Sequence, residues 1–183
     1  MASVGHIAVG MAASRIASGA RSTPTGGAML LWSALSMLPD ADVIGFPLGV
    51  RYADEWGHRG ATHSFVFALV VGCAIGVLAP RFRAPALRTA VIASLVLVSH
   101  GLLDTLTDGG LGCALWWPFD RTRYFAPWRP IPVAPIGLRF LSPYGLSVAA
   151  TELVVFAPLF IYALWPRIVP TRGATPGPAN RAR

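Results

Sequence analysis

Hydrophobic residues in this chain gather into five runs, at 4–20, 27–38, 62–79, 86–103 and 145–167, separated by pieces rich in Gly, Pro and charge. Several approach the ~20 residues that cross a bilayer. The stretch 64–79 carries no charge, and 152–165 carries one, Glu152 at its start. Runs of this length favour helices over strands, and in hydrocarbon a helix satisfies its own backbone groups where an open strand cannot. The pattern predicts an all-α, polytopic membrane bundle of about five helices. The first two runs are short and rich in Gly, Ala and Ser, which makes them the weakest spans.

Between the fourth and fifth runs lies a long connection, 105–143, with six prolines and the aromatics Trp116, Trp117, Tyr124 and Phe125. A connection of this length without periodicity is usually a lid or a disordered linker, and the aromatic content argues for a cover. The last residues, 170–183, are Pro, Gly, Thr, Ala, Asn and Arg only and predict a disordered tail behind a membrane domain at 1–169. The N-terminal residues lack the basic start of a secretory signal, so they are expected in the mature protein.

Composition fits this picture: of 183 residues, 54% are hydrophobic and 13% charged, against about 25% charged in a soluble domain. The formal charge is +7, and all 15 basic residues are Arg. They are scattered rather than interleaved with stacking aromatics, which excludes a nucleic-acid groove. Cys73 and Cys113 form neither a CxxC pair nor a disulfide framework.

Successive crossings sort the polar residues. One side receives His6, Asp40, Asp42, Asp54, Glu55, His58, His63, His100, Asp104, Asp108, Asp120 and Glu152, which are all four His and all eight acids. The other receives Arg15, Arg21, Arg81, Arg83, Arg88, Arg167, Arg172, Arg181 and Arg183 with no acid. The positive-inside bias puts the Arg side in the cytoplasm and the His/Asp side outside it. Ionisable groups near membrane depth are retained where they pair, line a wet cavity or bind an ion.

Three local patterns converge on that side. Asp40 and Asp42 stand two apart at the end of helix 2, where they can offer oxygens to one metal or to two, or simply form a solvated turn after Pro39. His58 and His63 stand five apart across a Gly-containing loop, with Thr62 or Ser64 able to cap the next helix. His100 and Asp104 are i and i+4, on one helical face, and can share a metal or form an imidazole with its orienting carboxylate. His6 sits on the first turn of helix 1.

Together His6, Asp40, Asp42, His58, His63, His100 and Asp104 make a nitrogen and oxygen ligand set of the kind zinc prefers, with manganese or iron as alternatives. They are enough for two ions, or for one ion with orienting carboxylates and a general base. Such an ion lowers the pKa of bound water to about 7. Hydrolysis is the natural chemistry, with Asp42, His58 and Asp104 as candidate catalytic groups. Arg59, Arg121 and Arg123 could hold a phosphate-containing or lipid-linked substrate, or could instead snorkel or pair with acids. HExxH, GxSxG and phosphate-loop motifs are absent. A non-enzymatic membrane protein that binds or moves metal ions or protons would need the same cluster and no nucleophilic water.

The residues also carry a resemblance over 4–145. It rests on His6, the LPDAD of 38–42, the HRGATHS of 58–64, the HGLLDT of 100–105 and the WPFDRTRYF of 117–125. The chain resembles the bacterial YdjM-like membrane-bound metal-dependent hydrolases, also described as LexA-binding, inner-membrane-associated hydrolases. That resemblance implies a multi-pass protein of the bacterial inner membrane, with a hydrolase assignment drawn from its His/Asp pattern. A more distant likeness is to the all-helical zinc phospholipase C and P1 nuclease group. On that analogy His100 and Asp104 would be ligands, Asp40 or Asp42 with His63 would complete a first site, and His6 and Glu152 would serve further ions.

Overall fold

The computed structural model describes residues 3–19 and 22–166, so the predicted tail at 170–183 lies outside the described residues. Six α-helices run in chain order: α1 (Ser3–Ala17), α2 (Gly26–Ser36), α3 (Phe65–Leu78), α4 (Ala86–Thr105), α5 (Pro143–Val155) and α6 (Ala157–Leu164). The architecture is all-helical. Among the described residues the only β pairing consists of isolated bridges, Thr107 with Ile131 and Cys113 with Tyr124.

The five apolar runs map onto this set, but the first, at Val4–Ala17, is a shorter apolar helix that falls below spanning length, and there are two further refinements. The second run extends past α2 as a 3-10 segment, Leu38–Leu48, bent by 55° from it. Pro39, at the start of this segment, has no amide hydrogen for continuing the α-helical ladder. The fifth run breaks into α5 and α6, bent by 60°, where Pro158 follows the break. Two unbroken segments, Phe65–Phe82 and Ala86–Thr105, are long and apolar enough to span, and each bent pair adds a further candidate span. Side-chain hydroxyls set three starts: Thr25 accepts from Ala28 N, Ser64 from Phe67 N, and Ser142 from Gly145 N.

Small residues let these helices approach closely. A Cβ on Gly72 would lie 2.1 Å from Ser94 Oγ, and one on Gly76 would lie 2.4 Å from Ala90 Cβ, so α3 and α4 meet at near backbone distance. Gly10 does the same for α1 and α2, against the backbone of Ser33. Polarity is inverted relative to a soluble domain. Val70, Val77, Leu87, Leu95 and Val154 are exposed around the bundle, whereas His6, His63, His100, Asp104 and Glu152 are buried within it. Hydrocarbon tolerates the first set, and the second must find partners inside.

The 105–143 connection is tied down along its length. Phe65 N donates to Leu115 O, Ala114 N to Arg59 O, and Val133 N to Asp108 Oδ1. The guanidinium of Arg123 donates to the carbonyls of His58, Tyr52 and Asp54.

Candidate metal centre

Four segments deliver the site. His100 and Asp104 project from the last turns of α4, one turn apart. Asp40 and Asp42 sit on the Leu38–Leu48 3-10 segment, and His63 ends the short 3-10 turn Ala61–His63 that leads into α3. His58 and Arg59 belong to the tight loop before that turn. Arg59 takes a left-handed φ of 65°, and a Cβ on Gly60 would fall 2.1 Å from Glu55 O, so the loop requires glycine there. Gly101 lets α4 approach His63, since a Cβ at 101 would meet the His63 carbonyl at 2.5 Å.

One ligand atom each from Asp40, His63, His100 and Asp104 lies within 4.8 Å of the other three. His63 Nε2 is 3.1 Å from His100 Nε2, 3.4 Å from Asp40 Oδ1 and 3.5 Å from Asp104 Oδ2, while Asp40 Oδ1 is 3.3 Å from His100 Nε2. Tetrahedral coordination at about 2.0–2.2 Å puts neighbouring ligand atoms about 3.3–3.6 Å apart. Four of the six separations therefore stand near the edge lengths of a zinc-sized tetrahedron, and all six are within 4.8 Å.

The hydrogen bonds behind these atoms decide what they face. His100 Nδ1 lies 2.7 Å from Ser36 O; a carbonyl only accepts, so Nδ1 carries the proton and the neutral ring presents a lone pair at Nε2. His63 Nδ1 lies 3.0 Å from Thr62 Oγ1, whose own proton goes to Asp42 Oδ2 at 2.9 Å. That assigns the His63 proton to Nδ1 as well. Two imidazole lone pairs then face each other beside Asp40 Oδ1, which has no hydrogen-bond partner among the described residues. Such an arrangement calls for a cation between them. Burial pushes the His63 pKa down, but hydrogen bonds to Asp104, Asp40 and Asp42 outweigh it and raise it to about 10, so without an ion a second proton, on Nε2, supplies that positive charge, and a metal ion would have to displace it. An imidazole whose far nitrogen donates to a carbonyl or a polar side chain is the usual form of a metal-bound histidine.

A second group, Asp42, His58 and His63, adjoins the first. Asp42 Oδ1 is 2.8 Å from His58 Nδ1, and Oδ2 accepts from Thr62 Oγ1 and, at 3.2 Å, from Arg59 N. His6 stacks on His100 with ring centres 3.7 Å apart and puts Nε2 3.4 Å from Asp104 Oδ1, behind the four-atom set. Glu152, on α5, accepts from Gly5 N at 3.0 Å. Arg59 is 1% exposed; its Nε is 3.1 Å from Asp104 Oδ2, and Nη1 donates to Thr107 Oγ1 and Gly109 O. Arg121 pairs with Glu55 at 2.6 Å on the surface, with 77% of its side chain exposed, and Arg123 is committed to the three loop carbonyls.

Beside the four-atom set lies a cavity of about 410 Å3. Asp40, His58, Arg59 and Tyr52 form its polar side; Val43, Ile136 and Phe140 contribute to its apolar side. Its cover comes from residues 133–137 and Phe140 rather than from the aromatic stretch 116–125. Thr62, Thr107, Tyr52 and the Ser36 carbonyl complete the site; Thr62 stands inside the histidine motif, whereas the other three carry no local sequence signal.

The chain matches the YdjM inner membrane protein family over residues 1–172. It is similar to the inner membrane protein YbcI of Escherichia coli (strain K12), with 46% identity over 136 residues that cover 72% of this chain and 79% of that relative. No solved structure matches. With spanning helices, a buried His/Asp cluster that could hold a metal, and a match along nearly its whole length, the chain belongs to the YdjM family of inner membrane proteins.

Proposed function

We propose that the chain is a metal-dependent hydrolase that cleaves a phosphoester or other lipid-linked substrate near the headgroup plane. The reading is carried by one observation: four nitrogen and oxygen donors within 4.8 Å of one another beside a cavity that is polar on one side and apolar on the other. Asp40, His63, His100 and Asp104 would hold one divalent ion, zinc before manganese or iron, with a water entering as an additional ligand from the cavity that Asp40 lines. When bound, the ion supplies Lewis-acid polarisation and a water acidic enough to act as a nucleophile at neutral pH.

The surrounding residues divide the remaining tasks. His58 lines the cavity with Nδ1 held by Asp42, which leaves its other nitrogen to accept a proton from an attacking water. Asp42 is a positioning residue for both His58 and His63. Arg59 balances Asp104 and faces an anionic group entering the cavity. Arg123 acts through the loop it ties down, and Arg121, paired with Glu55 on the surface, does not line the cavity. The apolar wall suits the hydrocarbon part of an amphiphile, and the His/Asp end faces away from the cytoplasm.

Elemental analysis of detergent-purified protein should find about one zinc, manganese or iron per chain, lost in the His100→Ala/Asp104→Ala double variant. Bis(p-nitrophenyl) phosphate or a phospholipid should be hydrolysed in a chelator-sensitive way, with turnover lost in His63→Ala. Metal-free, folded protein would sink the proposal. Bound metal with no turnover, together with metal uptake into vesicles, would replace it by a carrier.

A further inference from the structure

A second cavity, of about 500 Å3, lies at the opposite end of the bundle from the metal centre, where the end of α1, α2, the end of α3 and the start of α4 meet. It falls within the size range of small-molecule sites. Leu31, Leu35, Ile75, Leu78 and Phe82 make its walls apolar. Arg88 stands at its edge, held there by a hydrogen bond from Nη2 to the Ile16 carbonyl. Arg81 and Arg83 flank Phe82 in the turn between α3 and α4, and both are exposed. The stretch 64–103, which includes α3, this turn and α4 up to its last two residues, carries these three Arg and no acid.

We propose that this groove binds an anionic phospholipid, one acyl chain seated against Leu31, Leu35 and Ile75 and the phosphate held by Arg88 with Arg81 and Arg83. An empty apolar space forfeits the dispersion contacts of its lining, and water entering it finds few hydrogen-bond partners. In a bilayer the chain of a neighbouring lipid supplies what is missing. The arginines decide which lipid, because a basic side chain at the membrane surface favours an anionic headgroup by about fivefold. Guanidinium also matches phosphate oxygens in a forked geometry. The site is independent of the metal centre, and its occupancy does not require hydrolysis.

Native mass spectrometry of delipidated protein, with phosphatidylglycerol or phosphatidylcholine of identical chains, tests this. Phosphatidylglycerol should be retained at least tenfold more strongly. The Arg81→Ala/Arg83→Ala variant, which leaves the Arg88 bond to α1 intact, should reduce that preference by up to about 25-fold, two arginines at about fivefold each. Ala84→Trp, which fills the groove from its lining, should weaken both lipids while the melting temperature stays near that of the parent. Equal retention of the two lipids would overturn the proposal. So would a preference unchanged in the double arginine variant, or glycerol phosphate without acyl chains binding as well as the intact lipid.

Discussion

His63 uses both ring nitrogens: Nε2 faces Asp40, His100 and Asp104, while Nδ1 faces Thr62 and Asp42. That division separates ligand from support. Asp42→Asn keeps the four facing donors and removes the charge behind His63 and His58, so metal affinity should fall by about 10–100-fold without loss of the fold. Competition titration against a chelator measures this, and wild-type affinity in Asp42→Asn would refute the supporting role. Acidity acts on the same atoms. The lone pairs at His63 and His100 must be free of protons to hold an ion, so retention should weaken as pH falls and zinc loading should release protons into weak buffer. The identities of these donors were legible in the sequence, because His and Asp are scarce in so apolar a chain. Which nitrogen of each ring faces the shared Asp40–Asp104 pocket was not, since the Ser36 carbonyl and the Thr62 hydroxyl decide it.

The elements make the site by close approach. Asp40 and Asp42, two apart, would point to well-separated directions on any helix, and on the 3-10 segment they serve different groups: Asp40 joins His63, His100 and Asp104, and Asp42 joins His58 and His63. The sequence pattern suggested a carboxylate pair, but the segment's winding assigns each a different task. Gly101 sets the distance between α4 and the His63 turn. Gly101→Leu should push that turn outward and lower metal content several-fold, with a destabilisation of about 1–3 kcal/mol from overpacking. Gly72→Leu, away from the site on the same helix pair, should destabilise similarly. If metal content survives Gly101→Leu unchanged, α4 does not gauge the site. Run lengths predicted the spans at Phe65–Phe82 and Ala86–Thr105, but counted the short first helix as a fifth crossing and missed the breaks at Pro39 and Pro158, because a hydropathy window averages over a bend.

At the scale of the whole molecule, the described residues place the His/Asp cluster at one end of the bundle and Arg15, Arg81, Arg83 and Arg88 toward the other. Alternating crossings then require the α3–α4 turn and the 105–143 connection to lie on opposite faces of the membrane. Reporter fusions after Arg83 and after Thr122 should report opposite compartments, cytoplasmic for the first; the same compartment for both would refute the crossing pattern. Hydropathy alone settled the class of this protein, because the bilayer penalises each exposed polar group whatever its neighbours are, so a linear pattern carries the information. The meeting of His63 with His100 across 37 positions, and of His6 with Asp104 across 98, was settled only by packing. Those contacts depend on which helices lie side by side and how near small residues let them come, a property of pairs of surfaces that no single segment encodes.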